Sequence, residues 1–403
     1  MSTEPLPSVV VVGEGARVAA EGGSMIYRKW VRGGKGIEPG ALVVVENPRG
    51  EVLGCGLYDT VGPVAVRMVW HWDCPFRDSR EAIEELLRRA YRARRRLGFE
   101  ASAGMGFRLV HSDGDGMPGL IIDVYDDLAV IQSSSIVWDI HLDIVADVLV
   151  KEIGVTNVYE KSVQRTRRDI GLEPRQRLLR GERYTALIEE GVAKFRVDAR
   201  RGQKTGFFLD QRENRLMLEK LVAEGDVVAD LFSYTGGFGI HALLAGARHA
   251  VFVDEDAEAL KMLRENLRLN GISEDRAQVL EENVWRFLRR AREHGSEYDV
   301  VVVDPPAFIQ ERSHYERGAQ AYQRLYAAAA ALAKRLLFLS SCSAFLTRED
   351  FQAIVGRALA RAKREYRILG GIRGVPPDHP TRLHAQHLDY LKAAFIHVEE
   401  ARR

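Results

Sequence analysis

The stretch Val227-Val228-Ala229-Asp230-Leu231-Phe232-Ser233-Tyr234-Thr235-Gly236-Gly237-Phe238-Gly239 decides the fold of this chain. It opens as an apolar run without polar alternation and ends in a glycine turn. A run of that kind reads as a strand buried on both faces, as in a parallel sheet. Three more follow: "HAVFVD" at 249–254, "YDVVVVDPP" at 298–306 and "KRLLFLSS" at 334–341. Helical stretches such as "AEALKMLRENLRLNG" at 257–271 lie between them. This rhythm of strand and helix, beginning near residue 190, predicts a doubly wound α/β domain.

Upstream the pattern changes. Residues 75–188 read as a small α+β domain. They begin with an amphipathic helix, "DSREAIEELLRRAYRARRRLGF" at 78–99, acidic early and arginine-rich late as the helix dipole prefers. A hairpin is expected around Asp113-Gly114-Asp115-Gly116, then a second helix near 137–153 and the strand "VTNVYEKS". Residues 7–73 read as all-β, with short apolar runs broken by Gly and Asn-Pro turns. A basic run, Tyr27-Arg28-Lys29-Trp30-Val31-Arg32, lies among them.

Composition bounds the function. A chain of 403 residues suggests two or three domains. Its formal net charge of +1 advertises no polyanion globally, so a nucleic-acid surface would have to be a local patch. The cysteines, Cys55, Cys74 and Cys342, are odd in number and form no C-x-x-C pair. Neither a zinc site nor a disulfide framework is favoured, and no metal is expected. The start lacks a signal-peptide pattern and no apolar run reaches membrane-spanning length. The expectation is a cytoplasmic protein with no membrane partner.

In doubly wound sheets ligands bind beyond the carboxyl ends of the strands. Those ends carry, in order, the turn from Asp230 to Gly239, then Asp254, Asn283, Asp304-Pro305-Pro306 and Cys342. Glycines let a backbone approach a ligand closely. A carboxylate at the position of Asp254 suits a ribose diol, and the Asn283 amide suits an adenine edge. The turn Thr235-Gly236-Gly237-Phe238-Gly239 does not match G-x-G-x-x-G, so a dinucleotide is disfavoured. S-adenosylmethionine, which has no phosphate, fits better. Helix–sheet packing is the bland explanation of the glycines, a small buried hydrophobe that of Cys342, and a strand-end cap that of Asp304.

"DLFSYTGGFG", "DPPAF" and "SCS", together with "GQKTGFFLDQRENR", "DGDGMPGLIIDVY", "DHP" and "YLK", resemble the class I S-adenosylmethionine-dependent cytosine-5 methyltransferases of large-subunit ribosomal RNA, the RlmI-like group. The resemblance covers essentially the whole chain. It implies a PUA RNA-binding domain at 1–74, a central α+β domain at 75–188 and a Rossmann-like methyltransferase domain at 189–403. It implies S-adenosylmethionine as cofactor and RNA as partner, and admits a homodimer. Asp230, Phe232, Ser233, Tyr234, Thr235, Gly236, Gly237, Asp254, Asn283, Asp304 and Pro305 would surround the cofactor. Phe207, Asp210, Gln211 and Arg212 would wall the cofactor or the base.

The chemistry explains the residue types. Carbon 5 of cytosine is a poor nucleophile until a thiolate adds to carbon 6. The resemblance gives that role to Cys342, and to Asp304 a hydrogen bond at ring nitrogen 3. Thr347-Arg348-Glu349-Asp350 reads as a capping box whose helix N-terminus would favour a thiolate. A second cysteine, found in many cytosine-5 RNA methyltransferases after Asp-x-Pro, is replaced by Ala307. Asp378 and His379, or a water, are the candidates for taking the carbon 5 proton. Tyr27 and Trp30 suit base stacking, and the arginines at 88–96 with Arg165, Arg167 and Arg168 could extend an RNA track. The competing readings are 5-methyluridine formation, methylation of a base amino group, and a non-catalytic RNA-binding or assembly factor.

Overall fold

The unalternating apolar runs become the strands of one seven-stranded sheet. They are β1 (Val227–Leu231), β2 (His249–Asp254), β3 (Ala277–Glu281), β4 (Tyr298–Val303), β5 (Ala333–Ser341), β6 (Arg364–Arg373) and β7 (Lys392–Glu400). The order across the sheet is β3-β2-β1-β4-β5-β7-β6. The first five run parallel, while β7 is antiparallel to β5 and β6. Helices α1 (Arg212–Leu221), α2 (Gly237–Leu244), α3 (Ala257–Leu269), α4 (Val284–Glu293), α5 (Tyr315–Leu332) and α6 (Arg348–Arg361) connect and cover it. Both faces are buried, as the runs demand. Val301, Val303, Leu337 and Leu339 join one core with α5 and α6, while Phe338 lies between Phe238 and Phe395 on the other face.

The computed structural model describes residues 5–400, which fall into two units. The sheet belongs to the second, made of residues 189–196, 208–376 and those from 389 on. The first comprises the chain up to 188 with 197–207 and 377–388.

Within the first unit a six-stranded sheet spans residues 8–71 and a five-stranded sheet spans 106–180. The expected hairpin is present, with Gly106–His111 antiparallel to Leu120–Tyr125. The 78–99 stretch gives the helix Ser79–Arg96, capped by the Asp78 carboxylate, and a second helix spans Ile136–Val148. One expectation fails: residues 7–73 are not all-β, because Glu14–Ala20 is a helix. Its buried positions, Gly15 and Ala19, are small and four apart. A Cβ on Gly15 would come within 2.6 Å of Trp30, so only a glycine lets the helix lie this close. Two turns of small residues carry too little hydrophobic periodicity to announce themselves.

Among the described residues, no helix is long and apolar enough to cross a membrane.

Candidate active site

The strand order reverses between β1 and β4, and a crevice opens beyond their carboxyl ends. Leu231 pairs with Val303, and the Asp304 N–H donates to the Leu231 carbonyl at 3.4 Å. The glycine turn and the Asp-Pro-Pro loop therefore leave the sheet side by side.

The turn is held from several sides. Phe232 and Tyr234 adopt left-handed φ of 62° and 48°, uncommon for bulky residues and a recurring sign of a ligand loop. Asp254 at the end of β2 accepts the Tyr234 N–H at 2.8 Å and the Asp256 N–H at 2.9 Å. Burial pushes its carboxyl up, against the pull of those N–H groups. Asp230 accepts the Gly239 N–H at 2.8 Å, and burial pushes this carboxyl up to about 7. Gly236 caps α2 at φ 89°. A Cβ on Gly239 would sit 2.2 Å from the Phe252 ring, so this third glycine serves helix–sheet packing.

Two hydroxyls in the turn, Ser233 Oγ and Thr235 Oγ1, are buried without a hydrogen-bond partner. Buried polar groups are nearly always paired, so orphans in such a turn fit a ligand that completes them. The adenosine, amine and carboxylate of S-adenosylmethionine offer suitable partners.

The loop after β4 and the loop after β5 are stapled together. Ser340 Oγ donates to Asp304 Oδ1, and Gln211 Nε2 donates to the same oxygen at 2.7 Å. Tyr322, on α5, meets Ser343 Oγ at 2.9 Å, and its hydroxyl accepts the Phe308 N–H at 3.2 Å. Ser343 Oγ also accepts the Ile309 N–H at 3.2 Å, and the Tyr326 hydroxyl donates to the Ser340 carbonyl at 2.7 Å. Half-buried Cys342 sits between buried Ser341 and Ser343. The capping box is present at the start of α6, with the Thr347 side chain accepting the Asp350 N–H.

Burial pushes the Asp304 carboxyl up to about 6, although its bonds from Ser340 and Gln211 pull the other way. Lys392, at the start of β7 beside Ser341, is buried and donates to the carbonyls of Asp389 at 2.7 Å and Ser343 at 3.4 Å. Burial lowers its affinity for a proton; Asp389 and Cys342 act in the opposite sense.

Other predicted residues are placed as follows. Gln211 reaches Asp304, and its Oε1 accepts from Asn214 Nδ2 at 2.6 Å. Asp210 accepts from the Tyr390 hydroxyl at 2.8 Å. Asp210, Gln211 and Arg212, at the start of α1, are all buried. Pro305 is buried beneath the loop. Phe207 is buried in the first unit, its carbonyl bonded by Tyr125. Asn283 follows the end of β3 and caps α4, accepting from the N–H groups of Trp285 and Arg286 while donating to Glu255 at 2.9 Å. Asp378 and His379 belong to the first unit, where Asp378 accepts the Arg108 N–H and contacts His379.

The residues missed by sequence reasoning are Ser340, Ser343, Tyr322, Tyr326 and Lys392. The "SCS" and "YLK" motifs contain two of them, Ser343 and Lys392, but nothing local shows that the Ser340 hydroxyl bonds a carboxylate 36 residues away.

The arginine track needs correction. Arg88 pairs with Glu84 and Glu152, Arg92 with Glu85, and Arg95 with Glu100. Arg94 and Arg167 are buried on Asp115 and Asp139. Arg28 is spent on the carbonyls of Asp59, Gly62 and Val64. Trp30 is partly buried and meets Tyr27 edge-on at 5.6 Å.

Comparison with known proteins bears on this geometry. Residues 169–340 match the family described as S-adenosylmethionine-dependent methyltransferase, and residues 9–70 match the PUA-like domain family. A Methanocaldococcus jannaschii protein provisionally named a ribosomal RNA large subunit methyltransferase is 38% identical over 364 residues, 90% of this chain and 91% of its own. Ribosomal RNA large subunit methyltransferase I of Shewanella frigidimarina is 33% identical over 372 residues, 91% of this chain and 92% of its own. A solved structure, SMU.776, provisionally named a methyltransferase and complexed with SAH, covers 97% of this chain and 100% of its own. Its TM-score of 0.79 at 21% identity shows a shared fold.

Proposed function

This chain belongs to the ribosomal RNA large subunit methyltransferase I family of S-adenosylmethionine-dependent enzymes, and on that premise we propose that it forms 5-methylcytosine in large-subunit ribosomal RNA through a transient bond from Cys342 to the base. The observation that carries this reading is the staple: Ser340 joins the Asp304 carboxyl to the loop that bears Cys342.

The Cys342 thiolate adds to carbon 6 of the ring, forming a C–S bond. The electron pair of the 5,6 double bond moves toward carbon 5 and nitrogen 3. Asp304 donates its proton to nitrogen 3, which carries no hydrogen in cytosine. A carboxyl raised to about 6, and desolvated further beneath a base, is suited to holding that proton. Uracil carries a hydrogen on nitrogen 3 and calls for a carboxylate, so the raised Asp304 supports cytosine. When bound, S-adenosylmethionine supplies an electrophilic methyl on a sulfonium. Carbon 5 takes the methyl, and the displaced electron pair stays on the departing sulfur. A water takes the carbon 5 proton, the 5,6 double bond re-forms as the thiolate leaves carbon 6, and nitrogen 3 returns its proton to Asp304. Lys392, a buried cation holding the Ser343 carbonyl, supports the thiolate at both ends of this cycle.

Ribosomal RNA carrying 5-fluorocytidine at the target tests the mechanism. Fluorine replaces the proton that must leave, so the methylated adduct persists. A covalent band on a denaturing gel is expected for the native chain, for Cys55→Ala and for Cys74→Ala, and none for Cys342→Ala. A folded, cofactor-binding Cys342→Ala protein that still methylates would remove the thiol from the mechanism. Trapping by 5-fluorouridine instead would reassign the base, and methyl transfer with no adduct would point to an amino group.

A further inference from the structure

Most cations of the first unit are paired with carboxylates or carbonyls. Among the described residues neither Arg89 nor Arg382 has a salt-bridge partner, and both line one cleft of about 890 Å³. Its walls come from the end of the last strand of the six-stranded sheet (Trp70, His71, Trp72), from the helix Ser79–Arg96 and from the segment 381–384. All of these belong to the first unit.

The cleft is built rather than incidental. Trp72 is 70% exposed, yet it is not loose. Its backbone takes a left-handed φ of 73°, a conformation bulky residues avoid unless the surroundings impose it. Its N–H donates to the Leu53 carbonyl at 2.8 Å, and its indole N–H donates to the Ala20 carbonyl at 3.2 Å. The indole is thus fixed by its polar edge and stays largely exposed, with the His71 ring tilted against it at 5.6 Å. Arg89 lies 5.4 Å from the centre of the Trp70 ring, and Arg382 is 3.4 Å from His71 Nε2. Burial and then the like charge of Arg89 disfavour the charged form of Arg382, while Asp113 and Asp115 act in the opposite sense. Two guanidiniums lining one cleft, neither in a salt bridge, suit an anion. Of the two acids on the rim, Glu21 is engaged by Arg17, which leaves Asp73. Leu383, 92% exposed, adds an apolar lip.

We propose that this cleft binds one single-stranded nucleotide of the RNA substrate, with its base stacked on Trp72 and its phosphate between Arg89 and Arg382. The proposal rests on the reading of the substrate as RNA. An anion with an aromatic face is what such a surface recognises: the π-face of a base stacks without regard to sequence, and guanidinium pairs hold phosphate. The stacking residue is then Trp72 rather than Tyr27 or Trp30.

The test uses the full chain and a short fluorescein-labelled oligouridylate, followed by anisotropy across a salt series. Trp72→Ala should weaken binding about tenfold, and Trp72→Phe should recover much of the loss. The double variant Arg89→Gln, Arg382→Gln should reduce the slope of log affinity against log salt by about 0.7 for each phosphate that is no longer neutralised. S-adenosylmethionine affinity and the thermal melt should be unchanged in every variant. Native-like RNA binding in folded Trp72→Ala overturns the site, as does equal competition by polyglutamate, which has charge but no base. A chain that binds the oligonucleotide through this cleft but forms no 5-methylcytosine leaves the cleft standing and removes the cytosine assignment. A chain that forms 5-methylcytosine while the variants bind normally does the reverse.

Discussion

Asp304 is a residue whose function and stability pull apart. Burial holds its carboxyl near pKa 6, while an exposed aspartate titrates near 3.8. A carboxyl raised in the folded state binds protons more tightly there than in the unfolded chain. Its contribution is therefore fully favourable below about pH 4 and is lost as the pH rises through about 6. By pH 8 the penalty is on the order of 2–3 kcal/mol. Asp304→Asn removes the titration while keeping an oxygen for Ser340 and Gln211. The variant should be more thermostable than the native chain at pH 8, nearly equal to it at pH 4, and inactive. Denaturation followed at both pH values is the check; a variant that loses stability at pH 8 would show that the carboxylate is welcome in its pocket. Asp230, raised to about 7, works in the same direction, so the strand ends as a group prefer mild acid.

At the level of elements, the glycine turn divides its work among three residues that look equivalent in the sequence. Gly236 supplies the left-handed cap, Gly237 lies against Arg215 and Gly239 lies against Phe252. Gly239→Ala should force α2 away from β2. We expect a loss of roughly 1–3 kcal/mol in stability, typical of an overpacked core, together with weaker S-adenosylmethionine binding by calorimetry. Gly237→Ala should be milder, since its nearest neighbour is an arginine side chain 3.0 Å away. If Gly239→Ala kept both its melting temperature and its cofactor affinity, the packing role would be wrong. The turn was legible as a ligand loop because its spacing after a buried strand is local information. The division of labour was not, because Phe252 and Arg215 arrive from other elements. The same limit explains Asn283, where the sequence shows an amide near a strand but not that a helix begins at the next residue. It also explains the arginines of Ser79–Arg96, whose carboxylate partners sit one helical turn away or on another element.

For the molecule as a whole, the path of the chain matters as much as its folds. The first unit is completed by 197–207 and 377–388. Arg94 donates to the Asp378 carbonyl at 2.9 Å, and the Arg108 N–H donates to the Asp378 carboxylate at 2.9 Å. Asp123 accepts from the Thr205 hydroxyl at 2.6 Å, and Tyr125 meets the same hydroxyl at 2.8 Å. A fragment ending at residue 188 loses these four bonds, at about 0.5–1.5 kcal/mol each, while Arg94 keeps Asp115 and Asp123 keeps Arg108. Together that is a sizeable part of a typical domain's stability, roughly 5–15 kcal/mol. The fragment should show no cooperative melt by circular dichroism, and one that melts as sharply as the intact chain would show that the later segments are ornaments. No periodicity in "DHPTRLHAQHL" announces that it folds with residues so distant in the chain. The sheet was legible because its strands are contiguous runs; this return was not, because it is a property of contacts alone.

That return also sets an order of events during synthesis. A nascent chain usually lets its leading domain fold as soon as it leaves the ribosomal tunnel. Here the leading unit lacks its last segment until residue 388 emerges, some 200 residues after 188. At roughly 5–20 residues per second that wait is about 10–40 s. Throughout it, the pocket that should receive Asp378 stays open to chaperones and proteases. A translation product cut short before residue 377 therefore carries an unfinished first unit. Completion of the first unit thus waits on nearly the whole polypeptide.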